Sequence, residues 1–139
     1  MSELLDIVKT HYRGMETGDS DLGVAGFDPD VVTQTPNGTL KGIDEFRGLL
    51  EVFWTAAPDA RHQIASTHEA GDTIIVEGVY AGTHTGPLMS PDGTIPPTGK
   101  AFSFPYADVL QCRDGKVVAH NVYWDNMTFL GQLGLLPQG

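Results

Sequence analysis

The sequence predicts an α+β domain: a cone of N-terminal helices packed on a curved antiparallel sheet that encloses a pocket. Three observations predict it. Apolar residues recur at helical spacing twice in the first half of the chain, β-type segments fill the second half, and an Asp-Gly turn ties the last two of those segments into a hairpin. Helices that come first and strands that come later, with no alternating βαβ pattern, indicate α+β rather than α/β. The 139 residues form one domain's worth of chain, enough to bury roughly two-thirds of the unfolded surface, and no repeat or linker marks a second domain.

Leu4, Leu5, Val8, Tyr12 and Met15 make the apolar stripe of a first helix, which Ser2 can cap and Gly18 can end. Asp21 can cap a short second helix reaching Phe27, where Asp28-Pro29 must stop it because the residue before proline is pushed out of the helical region. A brief strand over 31–35 runs into the turn Pro36-Asn37-Gly38. From Asp44, the residues Phe46, Leu49, Leu50, Phe53, Trp54 and Ala57 return to a helical period until Pro58-Asp59 breaks it. Strands are expected over 62–68, 73–85, 101–112 and 116–124, and a short closing helix over 126–136, before Pro137. Between the second and third of these strands, residues 86–99 carry Pro87, Pro91, Pro96 and Pro97, so they form a loop long enough to act as a rim or lid.

Charge and composition exclude several function classes. Eight Lys and Arg against eighteen Asp and Glu give a net charge of −10, which repels phosphate backbones and anionic lipid surfaces, so neither nucleic acid nor membrane is an expected partner. The start of the chain lacks the pattern of a signal peptide and no apolar run could span a bilayer. The one cysteine, Cys112, can form no internal disulfide, and no Cys/His run has structural-zinc spacing; a reducing, cytoplasmic setting is expected.

Arg113-Asp114-Gly115-Lys116 sorts the residues. With Asp114-Gly115 as a two-residue loop, Cys112 faces Val117, Leu110 faces Ala119, Asp108 faces Asn121, Tyr106 faces Tyr123 and Phe104 faces Asp125. One face then gathers Tyr106, Asp108, Asn121, Tyr123 and Asp125, the lining expected of a pocket that takes a small hydrophobic ligand. Pro105, Ala107, Val109, His120, Val122 and Trp124 fall on the other face, whose apolar character predicts a homodimer or a higher oligomer. His120 sits there unless a bulge reverses the register. His11 and His68 read as surface, and His62 as uninformative.

Along nearly its whole length the chain resembles the SnoaL-like polyketide cyclases and ester cyclases of the NTF2-like superfamily. The resemblance rests on Thr35-Pro36-Asn37-Gly38 with Lys41-Gly42, on Pro58-Asp59, on Gly82-Thr83-His84-Thr85-Gly86 with Pro96-Pro97-Thr98-Gly99-Lys100, and on 113–117 running to Asp125 and Leu130-Gly131-Gln132-Leu133-Gly134. It implies an enzyme without metal or cofactor that closes a ring by intramolecular aldol condensation of a hydrophobic carbonyl compound, with an aspartate as general acid/base; the alternative is an NTF2-like protein that binds a small molecule without turning it over.

Such a closure needs a proton to leave carbon and another to reach the new alkoxide. Asp125 is the first candidate carrier, matching the family's aspartate, though its place before a helix equally suits a cap. Asp108 is a second candidate acid/base, or is simply satisfied by Asn121. Tyr106 and Tyr123 can donate to an enolate or merely pack. His84 matches a histidine of the ester-cyclase pattern, where it would orient substrate or move protons, or else anchors its loop. Tyr12 and Gln34 lie in regions that line the cavity in related cyclases, and Trp54 and Phe53 roof it as hydrophobic packing. Two other chemistries of the superfamily are disfavoured: Thr35 stands where ketosteroid isomerases place their base, and the arginines fall on helices or turns, which leaves no Asp-Arg-Asp set for epoxide opening.

Overall fold

The computed structural model describes residues 3–90 and 93–136; Ser2, Pro91 and Pro137, which figured in the expectations above, lie outside them. Three helices precede most of the sheet. The first, α1 (Glu3–Thr17), buries Val8, His11, Tyr12 and Gly14 on one face. It ends at Gly18, whose φ of +73° suits glycine and whose bare Cα lies against the Trp54 indole, which a Cβ would strike. Asp19 rather than Asp21 caps α2 (Ser20–Val24), accepting from the Leu22 amide, while Asp21 meets Arg47 on the surface. The apolar face of α3 (Ile43–Ala56) buries Phe46 and Leu50, as its period predicts.

Phe27 begins a strand, β1 (Phe27–Thr35), instead of ending the second helix. Pro29 is tolerated because the ladder to the next strand is interrupted between Phe27 and Val32, where a missing N–H costs no ladder bond. After β2 (Gly38–Lys41), β3 (Arg61–Ala70) and β4 (Thr73–Thr83), the expected loop holds a small hairpin, β5 (Leu88–Ser90) and β6 (Gly93–Ile95). The long β7 (Ala101–Arg113) and β8 (Lys116–Trp124) follow, then α4 (Asn126–Gln132).

The main sheet has the order β2-β1-β8-β7-β4-β3. It is mixed rather than wholly antiparallel, because β1 runs parallel to β8. The expected Asp-Gly turn is present, with Asp114 and Gly115 both at positive φ and Cys112 opposite Val117. A bulge follows at once: Cys112 faces Val117 but Gln111 faces Ala119, which leaves Val118 without an opposite number. From there every β8 side chain is turned to the opposite face from the one the turn alone predicts. Among the described residues no helix is long and apolar enough to cross a membrane.

Candidate functional site

Cross-strand pairing defines the inner face of the sheet. Ile74, Leu110, His120 and Thr33 form one row, Val76, Asp108 and Val122 the next, and Gly78, Tyr106 and Trp124 a third. Gly78 leaves room for the Tyr106 ring, since a Cβ there would fall 2.8 Å from the phenol oxygen. Helices α1 and α3 cover this face with His11, Met15, Phe46, Leu49, Leu50 and Phe53. Between helices and sheet lies an inner hollow of about 60 Å³. Leu49 and Phe53 also line a wider outer hollow of about 620 Å³, rimmed by the β5–β6 hairpin and α4. Their side chains thus stand between a small inner chamber and a broad outer one.

At the back of the inner hollow Asp108 is 4% exposed and both of its carboxylate oxygens are engaged. Tyr12 donates its hydroxyl to Oδ2 at 2.6 Å, and His120 donates Nε2–H to Oδ1 at 2.8 Å. A carboxylate can only accept, so a neutral His120 carries its proton on Nε2 and leaves a lone pair on Nδ1. Among the described residues that buried Nδ1 has no partner, and neither do the buried hydroxyls of Tyr106 and of Thr33, the neighbour of His120 on β1. Two of these atoms, His120 Nδ1 and the Tyr106 hydroxyl, belong to residues that line the hollow and indicate a place there for polar atoms of a ligand or of water.

The electrostatics keep Asp108 ionised. Burial alone would raise its pKa, but the hydrogen bond from His120, the charge of that ring whenever it is protonated, and the Tyr12 hydroxyl outweigh it and hold the carboxyl below its ordinary value. Burial and the Asp108 charge push the Tyr12 phenol far up, so it stays a donor. Burial likewise raises Tyr106, also a donor. His11 donates Nδ1–H to the Gly23 carbonyl at 2.8 Å and packs edge-on to His120, ring centres 6.1 Å apart; burial and the neighbouring His120 lower its pKa to about 4, so it is neutral.

The candidates taken from the sequence divide sharply. Asp108, Tyr12 and Tyr106 come together at the hollow. Asp125 does not: it is exposed and caps α4, accepting from the Met127 and Thr128 amides and the Thr128 hydroxyl, bonds that lower its pKa. Asn121 and Tyr123 point to the convex side because of the Val118 bulge, Tyr123 being 56% exposed. Gln34 is on that side too and accepts from Thr39. Of the two residues expected to roof the hollow, Phe53 lines it, whereas Trp54 packs on Gly18, away from it.

His84 anchors its loop. Its Nδ1 accepts from the Thr98 amide at 3.2 Å and lies 3.0 Å from the Thr98 hydroxyl, and burial lowers its pKa.

The residues that the sequence reading missed are His120, His11 and His62. The bulge explains the first. His11 lies three after Val8 and four before Met15, on the apolar stripe, and that spacing could have placed it inside. His62 alternates inward with Ile64 on β3. Among the described residues no group of three or more His, Cys, Asp or Glu is disposed to hold a metal ion.

Comparison with known proteins agrees with this fold. Residues 6–133 match the family described as SnoaL-like polyketide cyclase. No curated protein matches the chain. Among solved structures, AclR from Streptomyces galilaeus, a proposed hydroxylase, is 24% identical with a TM-score of 0.83, over 99% of this chain and 89% of its own. IdmH from Streptomyces antibioticus, a proposed polyketide cyclase, is 27% identical with a TM-score of 0.78, over 94% of this chain and 97% of its own. TerC, crystallised with polyporic acid, is 20% identical with a TM-score of 0.75, over 96% of this chain and 98% of its own.

Proposed function

This chain belongs to the SnoaL-like polyketide cyclase family, and from that premise we propose that it catalyses proton transfer next to a carbonyl, leading to aldol-type ring closure of a hydrophobic small molecule, without a cofactor. The observation that carries this reading is the Tyr12–Asp108–His120 chain, which fixes the tautomer of His120 and leaves its Nδ1 as an unengaged base beside a largely apolar hollow. Tyr106 supplies a neutral donor for the enolate oxygen. At about 60 Å³ the inner hollow admits only the reacting edge of a ligand, whose bulk would lie in the outer hollow past Phe53.

An anthraquinone carrying a β-ketoester side chain, incubated with the protein in D₂O, tests the reading by NMR. Wild-type protein should speed exchange of the α-proton, and His120→Gln should slow it on the order of 10²–10⁴-fold. Asp125→Asn, which keeps the helix cap, should exchange like wild type.

A second reading, binding without turnover, is favoured by the full engagement of both Asp108 oxygens. It is the conclusion if the probe raises the melting temperature of wild-type protein but exchanges no proton.

The same proposal includes a homodimer through the convex face of the sheet. Three residues on which that expectation rested, His120, Val122 and Trp124, are turned inward, but Ile75, Val79, Pro105, Ala107, Val109 and Tyr123 still make that face apolar. Light scattering should give twice the chain mass for wild type and the monomer mass for Val109→Glu. A wild-type monomer at micromolar concentration would remove the dimer.

A further inference from the structure

A second acid–imidazole pair stands beside the inner hollow, its histidine on the same inner sheet face as Asp108 and two strands away. His62 lines the hollow from β3, and Glu16 of α1 receives both its backbone amide, at 2.7 Å, and its Nδ1–H, at 3.0 Å, on one carboxylate oxygen. Among the described residues, Nε2 of His62 has no hydrogen-bond partner. The ring is stacked on Tyr12, centres 4.0 Å apart and planes within 3°, and stands edge-on to Tyr106. It therefore braces the phenol that holds Asp108.

His62 and Tyr12 also form the floor of a separate surface groove of about 370 Å³, walled by Lys9, Arg13, Glu16 and Arg61. His62 thus has the inner hollow on one side and a polar, solvent-open groove on the other. Asp108 and His120, by contrast, are both nearly inaccessible. Burial would raise the carboxyl of Glu16, yet its hydrogen bonds from His62 outweigh this and keep it below the ordinary range, so it stays ionised and can balance an imidazolium.

We propose, resting on the acid–base reading above, that His62 delivers the second proton of the reaction and exchanges it with solvent through this groove. His120 Nδ1 takes the α-proton, the enolate carbon bonds to the acceptor carbonyl carbon, and the displaced π pair becomes an alkoxide that takes the proton from His62 Nε2. His62 recovers a proton from water in the groove, and His120 releases its own as product leaves. One proton is taken and one given, and no oxidant or reductant is required. Division of the two transfers between two histidines spares His120 from having to reach both carbon and oxygen.

The two half-reactions separate this inference from the reading on which it rests. α-Proton exchange in the anthraquinone β-ketoester needs only the base, whereas appearance of the closed ring, followed by chromatography, needs base and acid. His62→Gln should lower ring closure on the order of 10²–10⁴-fold, a far larger loss than that of α-proton exchange, which falls only as far as the missing stack on Tyr12 loosens the Tyr12–Asp108 bond. Glu16→Gln, which leaves the imidazole in place but removes its counter-charge, should show the same split in weaker form. Ring closure at the wild-type rate in His62→Gln, or equal loss of exchange and closure in both variants, overturns the role of His62. Absence of exchange in wild-type protein overturns the acid–base reading instead.

Discussion

Asp108→Asn should invert the tautomer of His120 and with it remove α-proton exchange, lowering the rate on the order of 10²–10⁴-fold. The carboxylate accepts from two donors at once, the Tyr12 hydroxyl and His120 Nε2–H. An amide offers one acceptor and one NH₂ in the same space. If the amide oxygen faces Tyr12, its NH₂ confronts Nε2, and the ring escapes a donor–donor clash only by moving its proton to Nδ1. The lone pair proposed as the base is then occupied, while shape and volume are kept. The stability cost should accordingly stay at about 1–3 kcal/mol. Asp108→Ala, which strands both donors in a buried site, should cost about 3–5 kcal/mol. Long-range ¹⁵N–¹H correlation on the imidazole reads the tautomer directly and needs no substrate. Nε2–H retained in Asp108→Asn would show that Asp108 does not set the ring.

That experiment turns on one residue whose position the sequence hides. Asp114-Gly115 dictates a tight turn, and the β7 side of the hairpin follows from it, so Tyr106 and Asp108 face inward as parity requires. On β8 the bulged residue is Val118, between Val117 and Ala119, with neither glycine nor proline to betray it. A single unpaired residue exchanges the two faces of everything after it, which puts His120, Val122 and Trp124 inside and sends Asn121 and Tyr123 out. The parallel pairing of β1 with β8 escapes sequence reading for a different reason. It joins segments some ninety residues apart, and no local signal encodes it. The helices were legible because their apolar stripes are long, and the capping role of Asp125 was legible in its position before α4. Of the two roles the sequence offers that aspartate, the structure shows the cap, through its exposure and the Met127 and Thr128 bonds.

The inner chamber should also leave its mark on folding stability, through His11. Its pKa falls from an ordinary 6.5 to about 4 because the ring is buried against Phe27, Phe46 and His120. In the unfolded chain the same imidazole protonates near 6.5, so between that pH and about 4 the unfolded state binds the extra proton. Stability is therefore full above 6.5 and falls as the pH drops toward 4. A shift of this size amounts to roughly 3 kcal/mol across the window. His84, also lowered by burial, acts with the same sign. Asp108 has a depressed pKa, so its contribution is present above the ordinary carboxylate value and is lost only as the pH falls below it, which separates the two windows. His11→Gln can still donate to the Gly23 carbonyl but cannot titrate. Urea unfolding at intervals from pH 7 to pH 4 should show a clear decline for wild type and a much flatter line for this variant. A neutral His11 has a further consequence for the proposed base. With no cation 6.1 Å away, His120 can accept a proton in the chamber without like-charge repulsion. An equal acid slope in wild type and His11→Gln would mean that His11 stays charged in the fold, and would remove that condition.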